Sequence, residues 1–97
     1  MKEYVVKSIS TATDKINDSI HQPGDQIVFY LGKIVNSRNG NTGSFNSPDS
    51  KWITGYSNRA GATRLINTMK KEDVRREELF GKNDKWIYSY EIVEIER

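Results

Sequence analysis

Residues 85–96, KWIYSYEIVEIE, form the clearest strand pattern of the chain and decide its kind of fold. Aromatic and β-branched residues, which favour extended structure, dominate this segment. One parity carries four large side chains: Trp86, Tyr88, Tyr90 and Ile92. The other parity carries Val93 and Ile95, so the apolar side switches near 92–93. A β-bulge or burial on both faces of a sheet would explain this switch.

The segment before this strand is helical. Between residues 58 and 71, apolar residues recur with helical spacing: Ala62, Leu65, Ile66 and Met69. This stripe predicts a helix that packs one side on a sheet, with Ser57 or Asn58 as its N-cap. Residues 73–81 predict a second short helix, or a continuation after a kink. Asp73 could cap that second helix, and Gly81 could end it.

A further short helix is predicted near the start of the chain. Asp14 can cap it, and Ile16 and Ile20 are four residues apart on one side of it. Pro23 and Gly24 then predict a turn, as Asn83 and Asp84 do before the last strand.

Three more segments have the composition of strands. Residues 4–9 are rich in β-branched and aromatic residues, and within 51–56 Trp52 and Thr54 alternate with Ile53 and Gly55. Residues 26–35, QIVFYLGKIV, are apolar on both parities, which predicts a central strand buried on both faces. Within this segment, Gly32 marks a bulge or a close approach of another chain segment.

Residues 36–51, rich in Asn, Ser and Gly, leave two alternatives open. Asn39-Gly40 is a strong hairpin-turn signal, which would return the chain as a ragged strand anchored by Phe45. Otherwise the segment is a long surface loop, a feature that is often functional.

The order of elements predicts an α+β fold. A small, mostly antiparallel sheet would carry one main helix at about 58–71 and one or two short helices, all packed on one face. The length of 97 residues predicts a single domain over 1–97 with a modest core.

Composition narrows the functional classes. The chain has no cysteine, no apolar leader and no run long enough to span a bilayer, so we expect a cytoplasmic protein with no membrane contact. It has no metal-binding or phosphate-loop motif, so we expect no metal and no cofactor. His21 is the one histidine, and a turn residue is favoured over a catalytic base. We therefore expect no enzyme activity and no catalytic residues.

Positive charge is concentrated in the middle of the chain. Residues 26–71 contain seven Lys or Arg residues against one acid, Asp49, whereas both ends are net acidic. Such asymmetry is typical of an anion-facing surface, although folding can also intersperse and cancel the charges.

Polar, basic and aromatic residues in this middle region form the candidate binding site. They are Arg38, Asn39, Asn41, Lys51, Trp52, Arg59, Arg64 and Lys71. Basic groups interleaved with aromatic rings are suited to a nucleotide, to single-stranded nucleic acid or to a protein partner. The alternatives are a solvated helix surface for the bases and, for Trp52 taken alone, a core position, which is favoured.

The second half of the chain resembles small accessory proteins of phages and prophages of Gram-positive bacteria. WITGY (52–56), AGATRLINTMKK (60–71) and WIYSYEIVEIE (86–96) carry the resemblance, which covers residues 51–97. It implies a protein that binds and disables a host factor without catalysis, as anti-CRISPR proteins do.

We therefore expect a phage-encoded inhibitor of a host defence system, acting in the host cytoplasm. It would occlude a host protein or a protein–nucleic acid complex. The alternative is a sponge that sequesters a small anionic signalling nucleotide, and a nuclease-like enzyme that uses His21 is less expected. Exposed strand edges also invite pairing into a homo-oligomer, which the sequence does not decide.

Overall fold

The computed structural model of the chain describes residues 1–35 and 41–96. Its elements are β1 (Lys2–Ala12), β2 (Gln26–Ile34), β3 (Thr42–Phe45), β4 (Ile53–Thr54), α1 (Arg59–Phe80) and β5 (Trp86–Glu96). The strands form one antiparallel sheet in the order β3-β2-β1-β5, and β4 pairs the far end of β2. The α+β fold is confirmed. In the part of the chain that the structure describes, no helix is long and apolar enough to cross a bilayer.

β1 is the centre of the sheet. It pairs β5 over its whole length, from Lys2 opposite Glu96 to Ala12 opposite Trp86. Because this register is one-to-one, β5 contains no bulge opposite β1. The parity switch of β5 instead reflects partial burial on both faces, since Ile92 and Val93 are both half-buried.

The core lies between the sheet and the first half of α1. Val6 and Leu31 of the sheet pack with Ala62 and Leu65 of the helix, and Ile66 and Met69 pack against this group. The predicted apolar stripe is therefore confirmed. Burying an aliphatic side chain such as these stabilises a fold by about 1.5–3 kcal/mol, so a small group carries much of the stability.

α1 is one continuous helix, so its predicted end near residue 71 and the separate helix at 73–81 are wrong. Residues 70–80 contain no Gly or Pro and are rich in Glu, Lys and Arg, which continue a helix readily. Asn58 is the N-cap, as predicted, and its side chain accepts a hydrogen bond from the Gly61 N–H. Gly81 ends the helix with a φ of +87°, also as predicted.

The short helix predicted after Asp14 is also wrong, because residues 13–25 form turns and bends. The Asp18 carboxylate accepts hydrogen bonds from the backbone N–H groups of Ile20 and His21, which favours a turn over a helix. Ile20 is 80% exposed, so no apolar stripe forms there. The turn at Gly24 is confirmed by its φ of +90°.

β2 lies between β1 and β3. The prediction that it is buried on both faces holds for only part of the strand. Leu31 and Gly32 are buried, whereas Phe29 is 41% exposed and Ile34 is 39% exposed. Phe29 is exposed because α1 contacts mainly β1 and β5, with Leu31 as the residue of β2 in the core cluster.

The chain after β2 forms a hairpin rather than a long irregular loop. β3 pairs β2 from Lys33 opposite Thr42 to Tyr30 opposite Phe45, and Phe45 is half-buried as the predicted anchor. The turn signal at Asn39-Gly40 lies outside the described residues. The strand predicted at 51–56 is shorter than expected, since β4 has two residues.

Candidate functional site

Basic and aromatic side chains lie along and beside β4, where it fits between the ends of β1 and β2. We call this group the basic–aromatic cluster: Tyr4, Lys33, Lys51, Trp52, Tyr56 and Arg59. Its members come from β1, β2, the segment around β4 and the first residue of α1. The sheet therefore joins residues that are far apart in sequence.

Close backbone contacts position the cluster. The N–H of Tyr4 donates to the carbonyl of Tyr56 at 2.8 Å, and the N–H of Tyr56 donates to the carbonyl of Tyr4 at 2.8 Å. A Cβ atom on Gly55 would lie 2.7 Å from the Cβ atom of Glu3, so only glycine lets the two segments approach this closely. Residues paired in this way direct their side chains to the same face, and both tyrosines contact the core.

Each of the three cations lies over an aromatic ring. The Lys33 ammonium is 5.3 Å from the centre of the Tyr56 ring, and the Arg59 guanidinium carbon is 5.4 Å from that of Tyr4. The ammonium of Lys51 lies 5.3 Å from the ring of its neighbour Trp52. Each contact contributes about 0.5–1 kcal/mol at an exposed site, enough to favour one side-chain arrangement.

These cations are not neutralised by carboxylates. Within residues 1–35 and 41–96, no ion pair forms at Lys33, Lys51 or Arg59. Several acids near the two ends of the chain pair with other basic groups, as Glu94 does with Lys2 at 3.3 Å. The cluster therefore presents three positive charges at one end of the sheet.

Trp52 is the most accessible aromatic residue of the cluster. Its side chain is 61% exposed, so the expectation that it belongs to the core is wrong. The neighbouring Ile53 is fully buried instead, and it packs over Gly32, where a Cβ atom would lie 2.6 Å from its Cγ1 atom. Trp52 thus presents a flat apolar surface beside the Lys51 charge.

Three of the predicted site residues lie on the segments that flank β4: Lys51 lies over the ring of Trp52, and Arg59 lies over the ring of Tyr4. Arg64 and Lys71 are exposed on α1, about 8 and 18 Å beyond Arg59 along the helix axis, so they lie apart from the cluster. Asn41 is exposed beside β3, and its carbonyl accepts the N–H of Ile34 at 2.8 Å. Arg38 and Asn39 lie outside the described residues.

Sequence reasoning missed Tyr4, Lys33 and Tyr56 as members of the cluster. For Lys33 a signal was present, since it is the one charged residue in the apolar run 26–35. For the tyrosines there was none, because the bridge between Tyr4 and Tyr56 joins residues that no local pattern relates.

A cleft of about 720 Å³ lies toward the other end of β1, between the end of α1 and the start of β5. Phe80, Trp86, Ile87 and Tyr88 contribute apolar surface to it. The charged residues that line it are Asp73, Arg76, Glu77, Lys82, Asp84 and Lys85. Since equal numbers of acids and bases face this cleft, it is not selective for an anion.

His21 lies near the cleft residue Trp86, with the two rings edge to face and their centres 5.0 Å apart. Its Nδ1 atom is 2.9 Å from Oδ2 of Asp18, and hydrogen bonds from the His21 side chain and backbone lower the pKa of the Asp18 carboxyl. This contact holds the imidazole in the turn. Among the described residues, no three His, Asp or Glu side chains converge in a metal-binding arrangement.

Comparison of the chain with protein-family models, with curated proteins and with solved structures gives no match.

Proposed function

We propose that the chain is a non-enzymatic binding protein that uses the basic–aromatic cluster to dock on single-stranded nucleic acid within a nucleic-acid-handling complex. The observation that carries this proposal is that Lys33, Lys51 and Arg59 each lie over an aromatic ring and form no ion pair with a carboxylate within residues 1–35 and 41–96.

The cluster combines the two interactions that single-stranded nucleic acid uses. Lysine and arginine side chains attract the phosphate backbone, and an exposed aromatic ring stacks on a base for about 1–3 kcal/mol. Trp52 offers such a ring next to the Lys51 charge. Because the cation–aromatic contacts already restrict these side chains, less entropy is lost when a partner binds.

The same composition supports binding rather than catalysis. The six side chains of the cluster supply positive charge and stacking surface, but no carboxylate or imidazole that could act as a general base. The resemblance of residues 51–97 to phage accessory proteins extends the proposal to its biological role. The partner would belong to a host defence system such as CRISPR, which the protein inhibits by occlusion.

Fluorescence anisotropy with labelled single-stranded RNA and DNA oligonucleotides tests the proposal directly. We expect the triple variant Lys33→Glu, Lys51→Glu, Arg59→Glu to lose binding, and Trp52→Ala to weaken it about tenfold through lost stacking. With three phosphate contacts, log K should fall with log salt concentration with a slope of about −2 for a single strand.

The matched control reverses three exposed charges of α1 outside the cluster, Arg64→Glu, Lys71→Glu and Arg75→Glu. Equal losses in the two triple variants would show a general charge effect and contradict the assignment to the cluster. Binding that is absent at low salt would contradict the proposal altogether. A rise in Tm with one mononucleotide, without oligonucleotide binding, would favour the nucleotide sponge instead.

A further inference from the structure

β5 is an open edge of the sheet. It follows β1 at the end of the strand order, and its outer side pairs no strand among the residues that the structure describes. Natural edge strands are protected when they are short or bulged, or when they carry proline or charged side chains, lysine above all. β5 has eleven residues, no proline, no lysine and an unbroken register with β1, and its charged side chains are Glu91, Glu94 and Glu96. Such an edge is a template for another strand.

The backbone groups on this edge can be identified from the hydrogen bonds. The N–H and C=O groups of Tyr4 both bond to Tyr56, on the side of β1 away from β5. The backbone N–H and C=O groups of the other even-numbered residues of β1 therefore also point away from β5, and those of the odd-numbered residues point toward it. The bond from the Thr13 N–H to the Lys85 carbonyl agrees with this alternation. Since odd residues pair odd residues, the even residues of β5 present their N–H and C=O groups to the free edge.

We propose that a second copy of the chain pairs on this edge, with β5 antiparallel to β5 about a two-fold axis at Tyr90. In this register Tyr90 lies opposite Tyr90 of the second copy, and Tyr88 lies opposite Ile92. On the other face, Ile87 lies opposite Val93. Aromatic–aromatic and aromatic–β-branched pairs of this kind are among the stabilising cross-strand pairs.

Two registers displaced toward the C-terminal end of β5 are disfavoured. An axis at Glu91 would place the two Glu91 carboxylates directly opposite each other, which is destabilising. An axis at Ile92 would oppose Tyr90 to Glu94 and Tyr88 to Glu96, so the aromatic pairs would be lost. The remaining acids of the edge are already compensated, because Glu94 pairs with Lys2 at 3.3 Å and Glu96 with the amino group of Met1 at 2.9 Å.

The surroundings of Tyr90 leave room for the second strand. A groove of about 500 Å³ lies between α1 and the middle of β5, lined by Lys70, Asp73, Val74, Tyr88, Ser89 and Tyr90. Val74 is 55% exposed and Ile87 is 62% exposed on the two faces of this edge. The second copy would cover both residues, and its Glu94 would reach the cleft beside Lys82, which forms no ion pair within the described ranges.

Sedimentation equilibrium tests the oligomeric state. We expect wild-type protein to have twice the 11.2 kDa mass of one chain. Tyr88→Pro removes an N–H that points to the free edge and leaves the hydrogen bonds to β1 in place, so it should give a monomer. The control Tyr88→Ala loses the same ring but keeps the N–H, and should dimerise more strongly than the proline variant. A wild-type chain with the mass of one copy at every concentration would overturn the proposal.

Cysteine cross-linking tests the register, because the chain contains no cysteine of its own. In the Tyr90-centred dimer, Ser89 lies opposite Glu91 of the second copy in a pair with Cα atoms about 4.5 Å apart, within disulfide range. The double variant Ser89→Cys, Glu91→Cys should therefore form a covalent dimer on oxidation, and Ser89→Cys alone should not. Efficient cross-linking of Ser89→Cys alone, which leaves the Glu91 carboxylate in place, would show an axis at Ser89 and refute the proposed register.

Discussion

The hydroxyl of Tyr90 donates a hydrogen bond to Oδ2 of Asp73, with 2.5 Å between the two oxygens. Asp73 is half-buried, whereas every other residue from 70 to 80 is exposed. Met69 is the last residue of the apolar stripe of α1 that packs against the core. Beyond it, the hydrogen bond between Tyr90 and Asp73 fixes the second half of the helix to β5. It thereby keeps the groove beside β5 in shape.

Replacing Tyr90 by Phe should lower the free energy of unfolding by about 1 kcal/mol, because the ring stays and only the hydrogen bond is lost. Amide exchange between residues 74 and 80 should also accelerate, since the helix end loses its attachment. Urea unfolding and hydrogen exchange measure the two effects. Tyr30→Phe is the control, because the Tyr30 hydroxyl has no hydrogen bond within the described residues. Equal losses in both variants would refute this role of the Tyr90 hydroxyl.

The same contact predicts a pH dependence. Burial, and then the hydrogen bond to the Asp73 carboxylate, raise the pKa of Tyr90 above its ordinary value of 10.0. Because the folded pKa is above the unfolded one, this stabilisation is fully present below pH 10 and is lost as the pH rises through the folded value. Urea unfolding at one protein concentration, below and above pH 10, should show this loss in wild type and less of it in Tyr90→Phe. An identical loss in both proteins would assign it to other groups.

Gly32→Ala should destabilise the fold by about 1–3 kcal/mol through overpacking. A Cβ atom there would lie 2.6 Å from Cγ1 of Ile53, which is fully buried, and 3.0 Å from the carbonyl of Thr54. A double-mutant cycle of Gly32→Ala and Ile53→Ala, with each protein unfolded in urea, measures the contact, because Ile53→Ala removes the Cγ1 atom. Gly32→Ala should cost less in the Ile53→Ala background. The same cost in both backgrounds would exclude the contact with Ile53 as the reason.

Asn58→Ala should destabilise the protein by about 1 kcal/mol, because the Gly61 N–H loses the side chain that caps it. Asn58→Asp should keep the cap and add about 0.3–1 kcal/mol, since the first turn of α1 contains no acid to balance the helix dipole. Thermal unfolding ranks the three proteins. An aspartate variant no more stable than the alanine variant would contradict the capping role.

Local patterns predicted the elements whose structure depends on neighbouring residues. The stripe from Ala62 to Met69 and the alternation of β5 identify a helix and a strand because each repeats with one period. The helix boundary near residue 71 could not be predicted correctly, because the exposed residues that follow have helical propensity but no apolar stripe. Their attachment depends on Tyr90, which lies on another element.

The candidate site was predicted only in part, for a similar reason. The sequence predicts Lys51, Trp52 and Arg59 as site residues because they are basic or aromatic and lie close together in sequence. Lys33 and Tyr4 join them through strand pairing, since β4 has to fit between β1 and β2 before these side chains meet. The sequence pattern of residues 51–56 does not indicate that β4 lies between β1 and β2.

The central position of β1 constrains how the chain can fold during synthesis. β1 emerges from the ribosome before β2 and β5, and its pairing with β2 joins residues close in sequence, such as Thr11 and Gln26. Its other neighbour is β5, which pairs Lys2 with Glu96, so that side of β1 gains its hydrogen bonds only after β5 has been synthesised. Contacts of such long sequence separation form slowly. In the nascent chain, β1 therefore has one unpaired edge until β5 has been synthesised. During this interval the exposed edge makes the chain most prone to aggregation and to chaperone binding.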